Sequence, residues 1–152
     1  MTAIYVDADA CPVKEEIYKV AGRHKMKVFI VANSFMRMPA SPLIERVLVD
    51  DGPDVADDWI AEHATPDDVV VTADVPLAAR CVPEGIVTLA PNGKPFTPDN
   101  IGMKLATRNL MQDIREATHT QTYNAAFGPQ DRSRFLQALE QAIQTIKRKA
   151  ST

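Results

Sequence analysis

The 152-residue sequence has no apolar run near the roughly 18 to 20 residues that a membrane helix needs, so a membrane-spanning helix is not expected. Its first residues, Met1 to Asp7, lack the basic and apolar stretches of a secretory signal, and the expected location is cytoplasmic. There are only two cysteines, Cys11 and Cys81, too few for a disulfide framework and expected as reduced thiols. His24, His63 and His119 show no ligand spacing with one another or with the cysteines, which argues against zinc. Internal repeats and low-complexity segments are also missing, so neither a solenoid nor a linker-rich chain is expected.

The composition that remains, 45% hydrophobic and 24% charged, fits one globular domain over residues 1–152 with a single substantial core. The formal charge of -3 at first argues against a nucleic-acid partner. That sum hides a division. Residues 1–74 carry 14 acids and 7 bases, and residues 75–152 carry 6 acids and 10 bases. Ten of the 13 aspartates fall in the acidic half, so their placement decides whether they form a solvated face or a site.

Alternating strand and helix signals organise that half. Ala3 to Val6 is a short apolar run, followed by a helical period in Val13, Ile17, Val20 and Ala21 with Pro12 at the helix start. Lys27 to Ala32, Arg46 to Val49, Asp68 to Thr72 and Ile86 to Leu89 read as further strands. Their near-continuous apolar character implies burial on both faces. Asp54 to His63 and Val75 to Val82 read as helices. This order predicts an α/β fold with a parallel sheet of about five strands flanked by helices. After a turn at Pro91 to Pro95, two longer helices are expected at about Asn100 to Arg115 and Gln130 to Lys149. The last presents Phe135, Leu139, Ala142 and Ile146 on one side. Its Lys147-Arg148-Lys149 end suits a helix C-terminus.

In an open parallel sheet, active groups gather at the carboxyl ends of the strands where the strand order reverses. Asp7 and Asp9 end the first strand and share one side of it if the chain stays extended. Asp54 and Asp57 start a helix on neighbouring positions of one face, and Asp74 follows the strand ending at Thr72. Converging carboxylates repel and raise one another's pKa, and a hard divalent cation, Mg²⁺ or Mn²⁺, removes that repulsion. A structural reading competes for several of these acids. Asp54 and Asp74 are both good helix N-caps, Asp57 and Asp58 suit a first-turn dipole, and Asp67-Asp68 after Pro66 reads as a turn. Capping explains least well the pair Asp7 and Asp9 at the end of a buried strand.

The segments Val6-Asp-Ala-Asp-Ala-Cys-Pro-Val13, Val31-Ala-Asn33, Arg37-Met-Pro-Ala-Ser41, Asp54-Val-Ala-Asp57, Val70-Val-Thr-Ala-Asp-Val-Pro-Leu-Ala78, Gly93-Lys-Pro-Phe-Thr97 and Asp131-Arg-Ser-Arg-Phe135 span nearly the whole chain. Together they resemble the YaiI/YqxD family of bacterial proteins, which is in turn similar to PIN-like domains, a group of metal-dependent ribonucleases. The resemblance implies a PIN-like fold with Asp7, Asp57 and Asp74 as the catalytic, metal-binding set. Asp9 and Asp54 would be further carboxylates beside or behind that set; Thr72, read from its place at a strand end rather than from the resemblance, either positions a water or a metal-bound group or has no function. The chain departs from the family before the last helix, where Ala126-Phe-Gly-Pro129 replaces Gly-Gly-Pro.

A nucleic-acid substrate needs cations near those carboxylates. Lys104, Arg108 and Arg115 fall within about 40° of one another on a helical projection, apart from an apolar face of Met103, Ala106, Leu110 and Ile114. The stripe reads either as a phosphate contact or as a solvated helix face. Asn33, Arg37 and Ser41 follow an apparent strand and are further candidates for substrate contact, with Phe35 either stacking a base or filling the core. Cys11, without a histidine partner, reads as packing rather than as a nucleophile, and Trp59 reads as core. The expected function is a metal-dependent nuclease hydrolysing phosphodiesters in RNA. Two alternatives stand beside it: a non-catalytic RNA- or protein-binding module, and an aspartate-nucleophile phosphatase using Asp7.

Overall fold

Residues 3–7, Ala-Ile-Tyr-Val-Asp, form β1 at the centre of the structure, buried along its length except for Asp7 at its end, which is half-buried. The structure, a computed structural model, describes residues 2–8, 11–52, 54–118 and 127–150, with the backbone alone for 111–118 and 150. After β1 come α1 (Lys14–His24), β2 (Lys27–Ala32), β3 (Ile44–Leu48), α2 (Val55–His63) and β4 (Val69–Val71). They are followed by α3 (Val75–Cys81), β5 (Val87–Leu89), β6 (Pro95–Phe96), α4 (Ile101–Thr118) and α5 (Pro129–Ala150).

The strands make one sheet in the order β3-β2-β1-β4-β5-β6. Every pair is parallel except β5 with β6. From β1 the chain builds outward to β3, then returns through α2 to β4 on the other side of β1 and continues outward. The order therefore reverses between β1 and β4, and their connections diverge at the carboxyl ends to leave a crevice. This is the expected α/β fold with its two long C-terminal helices, an arrangement consistent with a PIN-like domain.

Two apolar clusters hold the layers together. On one face Ile4, Val6, Val28, Ile30, Val69 and Val71 meet Ile17 and Val20 of α1 and Phe135, Leu139 and Ile143 of α5. On the other, Tyr5, Val31 and Val70 meet Ile60 of α2 and Leu77 and Cys81 of α3. This alternation along each strand is the period-two signature of a sheet covered on both sides. Each fully buried Leu, Ile or Phe contributes roughly 1.5 to 3 kcal/mol.

Three sequence expectations are corrected. The Pro91–Pro95 turn leads into a sixth strand, too short to carry a periodicity, which closes an antiparallel hairpin on β5. Gly93 in that turn has φ +87°, and a Cβ there would come within 2.6 Å of the Arg134 carbonyl carbon, so glycine is required for α5 to pack so closely. β3 is an edge strand with no fully buried residue, so its apolar run does not reflect burial on both faces. Finally, Met103 and Leu110 of α4 are 77% and 59% exposed. Ile101 instead joins Val75, Ala78 and Phe96 where α4 meets α3.

Candidate functional site

The crevice between β1 and β4 collects acids from three elements. Asp7 ends β1, Asp54 and Asp57 come from the start of α2, and Asp74 caps α3 just after β4. Thr72, 1% exposed, lies at the junction. Its hydroxyl donates to Asp7 Oδ2 at 2.9 Å and accepts from the Asp74 backbone N–H at 2.9 Å. One side chain thus sets the orientation of Asp7 and the backbone path into Asp74. Asp74 Oδ1 accepts from the Leu77 N–H at 2.9 Å, the N-cap role expected for it.

Asp54 does not cap α2. It occupies the N-cap position with φ 67° and ψ 2°, and its side chain makes no capping hydrogen bond. A left-handed backbone at a non-glycine residue is uncommon, and here it releases the carboxylate from the helix end. Asp58 turns away from the crevice to Arg80 at 2.6 Å. Asp57, only 9% exposed, faces the crowd. Burial first, then the charges of Asp74, Asp7 and Asp54, raise its pKa from 3.8 to about 7, with Arg80 opposing. These are the two physical causes that penalise a buried carboxylate beside like charges.

The donor chemistry, oxygen throughout, suits a hard divalent cation, and Asp57 is the group such a cation would relieve. Among the described residues, however, no group of three or more His, Cys, Asp or Glu side chains is arranged as a metal-ligand set. Asp9 lies outside the described residues.

Residues 5–145 match the family described as "Uncharacterized BCR, YaiI/YqxD family". The chain belongs to the YaiI/YqxD family. It is similar to a UPF0178 protein of Rhodopseudomonas palustris (strain ATCC BAA-98 / CGA009), 58% identical over 149 residues, covering 98% of this chain and 94% of the relative. A UPF0178 protein of Bradyrhizobium diazoefficiens is 58% identical over 148 residues, covering 97% and 89%. One of Gluconobacter oxydans is 57% identical over 150 residues, covering 99% and 86%. No solved structure matches the chain.

In this YaiI/YqxD chain the other candidate residues divide by sheet edge. Asn33 follows β2, whose Val31 is in register with Asp7, so it stands exposed at the carboxyl edge beside the crevice. Arg37 lies exposed on the crossover from β2 to β3. Ser41 is not brought to the crevice. It precedes β3 at the amino edge, where its Oγ accepts from the Leu43 N–H at 3.2 Å. Lys104 and Arg108 line a cavity of about 610 Å³ with Val75, Asn100, Met103 and Thr107. Val75 directly follows Asp74, so this basic wall abuts the acidic crevice. The side chain of Arg115 lies outside the described residues.

Two residues that sequence reasoning passed over brace the connection carrying Asp7. Lys14 Nζ donates to the Ala8 carbonyl at 3.1 Å. Arg132 of α5 donates to the Pro12 carbonyl at 2.8 Å and pairs with Glu16 at 3.1 Å. Their only sequence signals were adjacency to Val6–Val13 and membership of Asp131–Phe135. Cys11 is buried and its thiol pKa is raised, burial being the main cause, as suits packing. Trp59 packs with Tyr5 and Phe29 on the α2 face. Among the described residues no helix is long and apolar enough to cross a membrane.

Proposed function

We propose that this YaiI/YqxD chain is a divalent-cation-dependent phosphodiesterase acting on RNA. The observation that carries the reading is the convergence of Asp7, Asp54, Asp57 and Asp74, from three separate elements, on the crevice where the strand order reverses. Asp7, Asp57 and Asp74 would hold Mg²⁺ or Mn²⁺, with Asp9 and Asp54 beside them. When bound, the ion would activate water and neutralise charge on the phosphate. Thr72 fixes the Asp7 carboxylate, and the α3 N-terminus fixes Asp74. Lys104 and Arg108, one turn apart along the neighbouring groove, offer positive charge to the phosphates flanking the cleaved bond. The test is Mn²⁺-dependent cleavage of RNA. Asp7→Asn combined with Asp74→Asn should abolish it, and full activity in the double mutant, or none in wild type on any RNA or DNA, would overturn the reading.

A second reading is a non-catalytic binding module that retains the fold and its acidic crevice. It leads if no divalent ion raises the melting temperature. The phosphatase reading fits least, because Asp58 is engaged by Arg80 and the Asp57-Asp58 pair precedes Thr72 in the chain.

A further inference from the structure

Phe35 is 72% exposed, so its ring does nothing for the core. The guanidinium of Arg46, from the edge strand β3, lies 3.9 Å from the ring centroid. The same guanidinium donates to the Met36 carbonyl at 3.4 Å. The arginine is thereby held against the ring, a cation–π arrangement. Phe35 lies three residues past the end of β2 and four past Val31, the register partner of Asp7. It is thus no more than about 14 Å of chain from that level of the sheet. The ring follows β2 and its arginine belongs to β3, on the side of β1 away from β4, β5 and β6, and Arg46 is in register with Ile30 and so with Val6, one residue before Asp7.

We propose that Phe35 and Arg46 form a stacking platform for an unpaired nucleobase of a single-stranded polynucleotide whose backbone crosses the carboxylate crevice. This rests on the phosphodiesterase reading for the identity of the crossing strand. An aromatic face takes any base, and an adjacent arginine adds both stacking and attraction for phosphate. A duplex keeps its bases paired and stacked internally, so the platform selects single strands.

The experiment is fluorescence anisotropy with labelled single-stranded RNA, the same strand in a duplex, and the same strand carrying an abasic stretch. It is run with Asp7→Asn protein in Mg²⁺ so that binding is read without turnover. Adding Phe35→Ala should weaken single-strand binding about tenfold, while Phe35→Trp retains it and duplex binding stays unchanged. The abasic strand should bind the Phe35 protein as weakly as the intact strand binds Phe35→Ala. The platform is overturned by unchanged single-strand affinity in Phe35→Ala, by equal affinity for abasic and intact strands, or by absence of binding. It is also overturned if Phe35→Ala instead converts a dimer to a monomer in sedimentation. Phe35-dependent binding with no cleavage by wild type upholds the platform and removes the phosphodiesterase reading. Cleavage that is indifferent to Phe35 does the reverse.

Discussion

Two buried aspartates at opposite edges of the same sheet live in opposite circumstances. Asp68, 3% exposed, precedes β4 at the amino edge. Its Oδ1 accepts from the Ala3 N–H at 2.9 Å, and its Oδ2 accepts from the Thr65 N–H at 2.8 Å and the Thr65 hydroxyl at 2.9 Å. It ties the start of β1 to the start of β4. Asp57, 9% exposed at the carboxyl edge, makes no hydrogen bond with its carboxylate among the described residues and faces three other acids. A carboxylate with donors around it is structural. One surrounded by acids is poised to take a cation or a proton. Burial alone does not mark a functional acid; the neighbours do.

The largest effect is expected at Asp68. Asp68→Ala would leave the buried Ala3 N–H and the part-buried Thr65 N–H unpaired, and urea denaturation should show a loss of about 3 kcal/mol. A loss below about 1 kcal/mol would mean that the amino-edge acid does not anchor the strands. At Asp57 the opposite sign is expected. Because its folded pKa, about 7, is raised above the ordinary 3.8, its contribution is fully present below the lower value and is lost as pH rises towards the upper one. Without divalent ions, Asp57→Asn should therefore stabilise the fold at pH 8 by about 2 kcal/mol, half of the full linkage value. The gain should vanish at pH 4. A destabilised Asp57→Asn at pH 8 would show that the acids do not crowd.

Thr72→Val acts from within the crevice. It removes the hydroxyl that links Asp7 and Asp74, and thermal denaturation should register a cost of about 1 to 2 kcal/mol. The smallest effect belongs to the exposed Asp58–Arg80 pair. Asp58→Asn should change stability by less than about 1 kcal/mol, and a larger loss would place Asp58 inside the crowded set.

Much of the carboxyl edge was legible in the sequence because a strand end and a helix start are positions that topology assigns. Once Ala3–Val6 and Asp68–Thr72 read as parallel strands, Asp7, Asp57 and Asp74 had to share an edge. The role of Asp68 was not legible. Asp67-Asp68 read as a turn, which it is, but the bond to Ala3 joins residues 65 apart in sequence. The left-handed backbone at Asp54 was hidden for a related reason, since a D-x-x-D spacing carries no record of φ. Ser41 was misplaced because the crossover from β2 to β3 has no helix to signal that the chain has returned to the amino edge. The two-residue β6 and the outward face of α4 escaped because neither short strands nor helical periodicity says which neighbour covers which side.

If the carboxyl-edge acids form a cation site, a divalent-metal thermal titration at pH 8 will register it. Mn²⁺ or Mg²⁺ should raise the melting temperature of wild type by several degrees and leave Asp7→Asn nearly unmoved. No rise in wild type, or an equal rise in both proteins, would contradict it.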